Sequence, residues 1–143
     1  MKTSLRVTLL FFAILQMTTL AAQERYMVKT GDPNGINKWY MGRQIAQVMS
    51  HYGIGWLERE EREQEENTTQ LLKNLAVQPG QVIADIGAGS GYHSTLLSNM
   101  VGNGKVYAVD VEREMIAYLN ERIKREGKKN IIPVLSTEKT VSL

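Results

Sequence analysis

Three glycines at alternate positions, Gly87, Gly89 and Gly91, follow Asp85 at the end of an apolar run in QVIADIGAGSGYHSTLL. Small residues in such a turn let a ligand approach the backbone, and the turn opens onto the free amides of a helix N-terminus. The spacing discriminates between ligands. A dinucleotide turn of the form G-x-G-x-x-G needs its third glycine at position 92, where this chain has Tyr92, and Gly91 falls one residue early. Other chemistry is sparse. There is no cysteine, hence no disulfide, thiolate metal site, cysteine nucleophile or lipid-attachment thiol. His51 and His93 are the only histidines, and both suit solvated or helix-packing roles, with His93 close enough to the turn to be a candidate pocket residue.

The turn needs elements to hold it. After Pro79-Gly80, the nearly continuous apolar run Val82–Ile86 reads as a parallel strand buried on both faces. A helix follows over Tyr92–Val101, stopped by Gly102-Asn103-Gly104. A second strand covers Lys105 to Val109 and ends at Asp110. Residues 112–126 form an amphipathic helix with Met115, Ile116, Leu119 and Ile123 on one face and Gly127 as its stop. Ile131–Leu135 is a third strand. This β-α-β-α-β order predicts an α/β fold with a Rossmann-like parallel sheet.

Upstream, QERYMVKTGDPNGIN reads as a loop carrying an Asp-Pro-Asn-Gly turn. Met41, Ile45, Val48, Met49 and Tyr52 recur at helical spacing and predict a helix ending at Gly53. Trp56-Leu57 offers an apolar anchor. The run EREEREQEE over residues 58–66 predicts a solvated helix face laced with Glu/Arg pairs. Asn67, Thr68 and Thr69 are candidates to cap the next helix, with Leu71, Leu72 and Leu75 inward; they also form a glycosylation sequon.

The N-terminus, MKTSLRVTLLFFAILQMTTLAAQE, has a short basic start, an apolar stretch from Val7 to Leu15 and small residues at Ala21 and Ala22. That is a secretory signal pattern, with cleavage expected after Ala21 or Ala22. It places the protein in an exported, periplasmic or secreted, compartment, without a stable membrane span after cleavage and as an anchored form if uncleaved. The domain division expected is signal peptide over residues 1–22, an N-terminal loop and helical cap over 23–70, and the glycine-turn domain over 71–143.

The G-x-G-x-G turn with an acid two residues before its first glycine resembles motif I of the class I S-adenosylmethionine-dependent methyltransferases. KVYAVDVEREMI is similar to that family's next motif, and the resemblance covers residues 71–135. YMGRQIAQVM and GWLEREEREQEE also look like the leader of an exported bacterial methyltransferase-domain group. The resemblance implies S-adenosylmethionine as cofactor. It implies that Asp85 holds the methionine amino group, that Gly87, Gly89 and Gly91 allow close passage of the cofactor, that Asp110 binds the ribose diol and that Val111 packs on the adenine. Near the adenine, Thr137 or Glu138 would serve, and Tyr40, Arg43 and Tyr92 would close over the site. It places the acceptor pocket and any proton-handling groups beyond residue 143, so the catalytic residues are unknown and the chain reads as the front of a longer domain. Pro133 agrees with the family's strand order, because a residue without an amide donor belongs on an edge strand.

Charge narrows the partners. The excess of 17 basic over 15 acidic residues comes from Lys2 and Arg6 in the signal segment. The remainder is neutral, so no nucleic-acid partner is expected. The methyl acceptor, small molecule or protein, is not legible. Two alternatives stay open: an exported, non-catalytic nucleoside-binding module, and an NAD-type nucleotide-binding oxidoreductase, which Tyr92 disfavours.

Overall fold

The computed structural model describes residues 26–143. The expected signal segment and its cleavage point lie outside the described residues. The chain divides into two compact units, one ending at Val48 and one spanning Met49–Leu143. Among the described residues, no helix is long and apolar enough to cross a membrane.

The first unit is a three-stranded antiparallel sheet of β1 (Tyr26–Val28), β2 (Gly35–Tyr40) and β3 (Arg43–Ala46), in the order β1-β2-β3. This corrects two sequence expectations, the loop ahead of residue 38 and the helix over residues 41–52. The turn chemistry decided against the helix. Met41 and Gly42 both take positive φ, +47° and +80°, which makes the two-residue turn that suits the twist of a hairpin, and Tyr40 pairs with Arg43 across it. The apolar residues that suggested a helical stripe do not share a buried side: Met41 is 75% exposed and Tyr52 88%. The Gln44 side chain closes the other end, accepting from the Asp32 amide at 2.7 Å and donating to the Asp32 carbonyl at 3.0 Å.

The second unit opens with a 3-10 turn at His51–Gly53 and three helices, α1 (Ile54–Leu57), α2 (Arg62–Glu66) and α3 (Thr68–Leu75). Asn67 fills the capping role, its Oδ1 accepting from the Gln70 amide at 3.1 Å. Then come β4 (Val82–Ile86), α4 (Tyr92–Val101), β5 (Lys105–Asp110), α5 (Arg113–Glu126) and β6 (Ile131–Leu135). The strands pair in parallel in the order β4-β5-β6. Pro133 sits on β6 opposite Ala108, an edge position that costs no sheet hydrogen bond on its outer side.

The core lies where the central strand β5 meets the helices. Val101 and Val106 are fully buried with Leu97 beside them, backed by Leu72, Val77 and Ile83. Ala108, Leu119 and Ile131 form a second cluster with Ala88 and Ile123. β4 departs from expectation. It is not buried on both faces, since Val82 is 65% and Ile86 60% exposed, and among the described residues it pairs only with β5. A strand that reads as nearly all apolar is thus only partly covered, because burial on both faces requires packed layers on both.

Candidate functional site

The glycine turn stands at the C-terminal end of β4 and is stitched to the end of β5. Gly87 and Ala88 both donate to the Val109 carbonyl, at 2.8 and 2.9 Å, and Gly91 donates to the Ala88 carbonyl at 2.9 Å. The glycines serve different ends. Gly87 has φ +78°, and a Cβ built on it meets no atom within 4 Å, so its open side is free for a ligand. Gly91 has φ +80°, but a Cβ there falls 2.3 Å from Leu119 Cδ1. Its bareness lets α4 start tightly against α5.

Asp110 is buried, 8% exposed. Its Oδ2 accepts from the Gly89 amide at 2.8 Å and its Oδ1 from the Glu112 amide at 2.9 Å. One carboxylate therefore ties the middle of the turn to the start of α5. An ionised carboxylate has about four acceptor sites, so two remain for a ligand's hydroxyls. Asp85 accepts from Ser94 Oγ at 2.6 Å, and Ser94 is fully buried on α4. Val111, 36% exposed, presents an apolar surface next to Asp110 in the chain.

A cavity of about 440 Å³ runs along the free flank of β4, lined by α3, β4 and α4 through Leu71, Leu75, Asp85, Ile86, His93 and Leu97. His93 thus shares a cavity with Asp85, and Gly87, Gly89, Gly91 and Asp110 do not line it. His51 is half-buried and pairs its Nδ1 with Glu112 Oε1 at 3.1 Å, which fastens the 3-10 turn to the start of α5. With Glu114 the pair brings three possible metal-ligating atoms within 4.8 Å, although Glu114 is exposed.

The residues expected near the adenine and over the site have local partners. Thr137 Oγ1 accepts from the Lys139 and Thr140 amides at 3.2 and 3.1 Å, so its hydroxyl closes its own turn, and Glu138 is exposed. The buried neighbour there is Ser136, whose amide donates to the Asp110 carbonyl at 2.8 Å. Tyr40 and Arg43 pair across the hairpin of the first unit; in the second unit the Arg62 guanidinium carbon stands 4.2 Å from the centroid of the Tyr92 ring.

The acidic run is more than a solvated face. Arg62 is buried, 8% exposed, donating to Glu66 at 2.9 Å and to the Leu57 carbonyl at 2.7 Å. Hydrogen bonding from Arg62 outweighs desolvation and holds the Glu66 carboxyl below the usual carboxylate range. Glu58 accepts from Ser90 Oγ and, at 2.6 Å, from Arg122 Nη1. Burial works against the charge on Arg122, but Glu58 and Glu126 raise its pKa above the ordinary guanidinium value. Glu58, Ser90 and Arg122 had no distinguishing signal in the sequence, since one glutamate of six in an acidic run looks like its neighbours.

Comparison with known proteins gives the family. The sequence profile of the family described as protein-L-isoaspartate(D-aspartate) O-methyltransferase matches residues 63–138. The protein-L-isoaspartate O-methyltransferase of Aeropyrum pernix is 39% identical over 67 residues, which are 46% of this chain and 26% of that protein. The enzyme of the same name from Methanococcoides burtonii is 34% identical over 61 residues, 42% of this chain and 30% of that protein. The chain therefore spans under a third of the length of these curated relatives. Among solved structures, a SAM-dependent methyltransferase from Aquifex aeolicus superposes with a TM-score of 0.62 at 33% identity, covering 66% of this chain and 51% of that one. Coclaurine N-methyltransferase, bound to N-methylheliamine and SAH, shares the fold at 23% identity with a TM-score of 0.53, over 60% of this chain and 26% of that one.

Proposed function

We propose that this chain, which belongs to the protein-L-isoaspartate(D-aspartate) O-methyltransferase family, binds S-adenosylmethionine at the glycine turn and takes part in methyl transfer to a carboxylate. The observation that carries the reading is the turn itself: an open Gly87 beside a buried Asp110 that still has acceptor capacity, at the C-terminal ends of adjacent parallel strands. Ligands of open α/β sheets bind at such strand ends.

The residues fit the cofactor. Gly87 leaves space for its chain to pass the backbone, Asp110 accepts from the ribose diol with its remaining lone pairs, and Val111 offers an apolar surface to the adenine. Asp85, oriented by Ser94, accepts from the methionine amino group. Gly89 and Gly91 shape the turn. When bound, S-adenosylmethionine supplies a methyl group on a sulfonium, whose leaving group is a neutral thioether. The family and the named relatives point to the free α-carboxylate of an isoaspartyl residue in a peptide as acceptor, the β-carboxyl of such a residue being taken up in the chain. Such a group is already an anion at neutral pH, so the chain needs no general base for it and contributes chiefly by positioning the reactants and excluding water.

Calorimetric titration of the full chain with S-adenosylhomocysteine and, separately, with NAD tests the cofactor. Binding of the first and not the second is expected, and the reverse would overturn the reading. Transfer of labelled methyl to an isoaspartyl peptide, against its normal aspartyl counterpart, tests the acceptor. Export is part of the same proposal: the mature N-terminus is expected at Ala22 or Gln23, read by mass spectrometry of the native protein.

A further inference from the structure

The segment just ahead of the family-matched span is bonded to the glycine turn. Ser90, 1% exposed, donates its hydroxyl to Glu58 Oε1. The same Glu58 oxygen accepts from Arg122 Nη1 at 2.6 Å, and Arg122 Nη1 also donates to the Ser90 carbonyl at 3.2 Å. The Glu58 and Arg122 side chains are only 27% and 12% exposed. Beside them, Leu57 Cδ1 lies 3.1 Å from the position of a Cβ built on Gly89, while Arg62 fixes the Leu57 carbonyl and covers the ring of Tyr92, the first residue of α4.

Asp110 holds the turn through the Gly89 amide, and Glu58 with Arg122 holds it through the hydroxyl and carbonyl of Ser90. The backbone at residues 89–91 is thus fastened from two sides. Ion pairs taken out of water add little stability compared with apolar packing of the same volume. The placement of this one against the turn is better explained by the geometry it imposes than by the energy it adds. The matched family span begins at residue 63, so Glu58 reaches the turn from outside it.

We propose that Glu58, acting with Arg122, is a positioning residue for the cofactor turn: by holding the hydroxyl and carbonyl of Ser90 it sets the backbone at residues 89–91 in the shape that admits the cofactor. The proposal rests on the reading of this turn as the S-adenosylmethionine site.

The test uses the full chain as wild type, Glu58→Gln, Ser90→Ala and the double variant. Affinity for S-adenosylhomocysteine is measured by calorimetry, and amide exchange is measured residue by residue. Loss of one charge-assisted bond is expected to weaken affinity about tenfold in each single variant. The double variant should lose little more, because both changes break one linkage. Exchange should quicken at Ser90 and Gly91 while the amides of β5 and β6 keep their wild-type rates. Wild-type affinity and exchange in Glu58→Gln would overturn the proposal, as would quickening spread evenly through β5 and β6, which marks general destabilisation. Should the wild type itself give no heat with S-adenosylhomocysteine, the cofactor reading falls, and the exchange rates alone decide whether Glu58 sets the turn.

Discussion

Replacing Asp110 by asparagine changes one heavy atom and turns one of two bonded backbone amides against a donor. In the native site each carboxylate oxygen accepts one amide, Gly89 on Oδ2 at 2.8 Å and Glu112 on Oδ1 at 2.9 Å. The carboxamide has one acceptor oxygen and one NH2 group, so whichever way it lies, one amide faces a donor. A hydrogen bond to a charged acceptor contributes about 1.5–3 kcal/mol, and a buried donor left without a partner costs about 1–3 kcal/mol. With Asp110 only 8% exposed, water gives little relief, and a loss of about 3 kcal/mol is expected. In a unit of this size that corresponds to a fall of roughly 12–24 °C in Tm. The assay is urea unfolding of wild type and Asp110→Asn, with S-adenosylhomocysteine titration well below the variant's midpoint. A stability change under about 0.5 kcal/mol would refute the claim that Asp110 ties the turn to α5. A destabilised variant that still binds with wild-type affinity would keep the structural role and remove the ribose role.

Gly91→Ala should destabilise the fold by about 2 kcal/mol or more, combining positive φ with a Cβ 2.3 Å from Leu119 Cδ1, as read by urea unfolding. Gly87→Ala meets no atom; it should cost about 1 kcal/mol in backbone strain but weaken S-adenosylhomocysteine binding well beyond that, and equal losses in stability and affinity would contradict its role as the open side. Leu119→Ala, at a fully buried position, should cost about 2–5 kcal/mol through its cavity, measured in the same way. The Glu66 carboxyl titrates below the ordinary 4.5, so its contribution is complete above that value and is lost as pH falls through the lower folded-state pKa. Arg62→Met should flatten the acid limb of a stability profile, and an unchanged acid limb would show that the pairing does not stabilise the fold.

Much of the second unit is local in origin and was legible from residue order. β4, α4, β5, α5 and β6 follow from apolar periodicity and from glycine stops such as Gly102 and Gly127, because each element needs only its own residues to state its period. The glycine turn has the same local origin: Asp85, Gly87, Gly89 and Gly91 sit at fixed offsets in one strand-turn-helix unit, and Asp110 ends the strand that follows it. The first unit was misread because Met41 and Gly42 at positive φ make a hairpin turn, and that choice overrides an apolar spacing that only mimics a helix. What belonged to the tertiary structure alone was the pairing of groups distant in sequence. Glu58 meets Ser90 and Arg122, His51 meets Glu112, and Gly91 owes its bareness to Leu119. Such contacts depend on which helix faces which turn. A solvated glutamate and a half-buried one held against a serine are the same letter until the chain has packed.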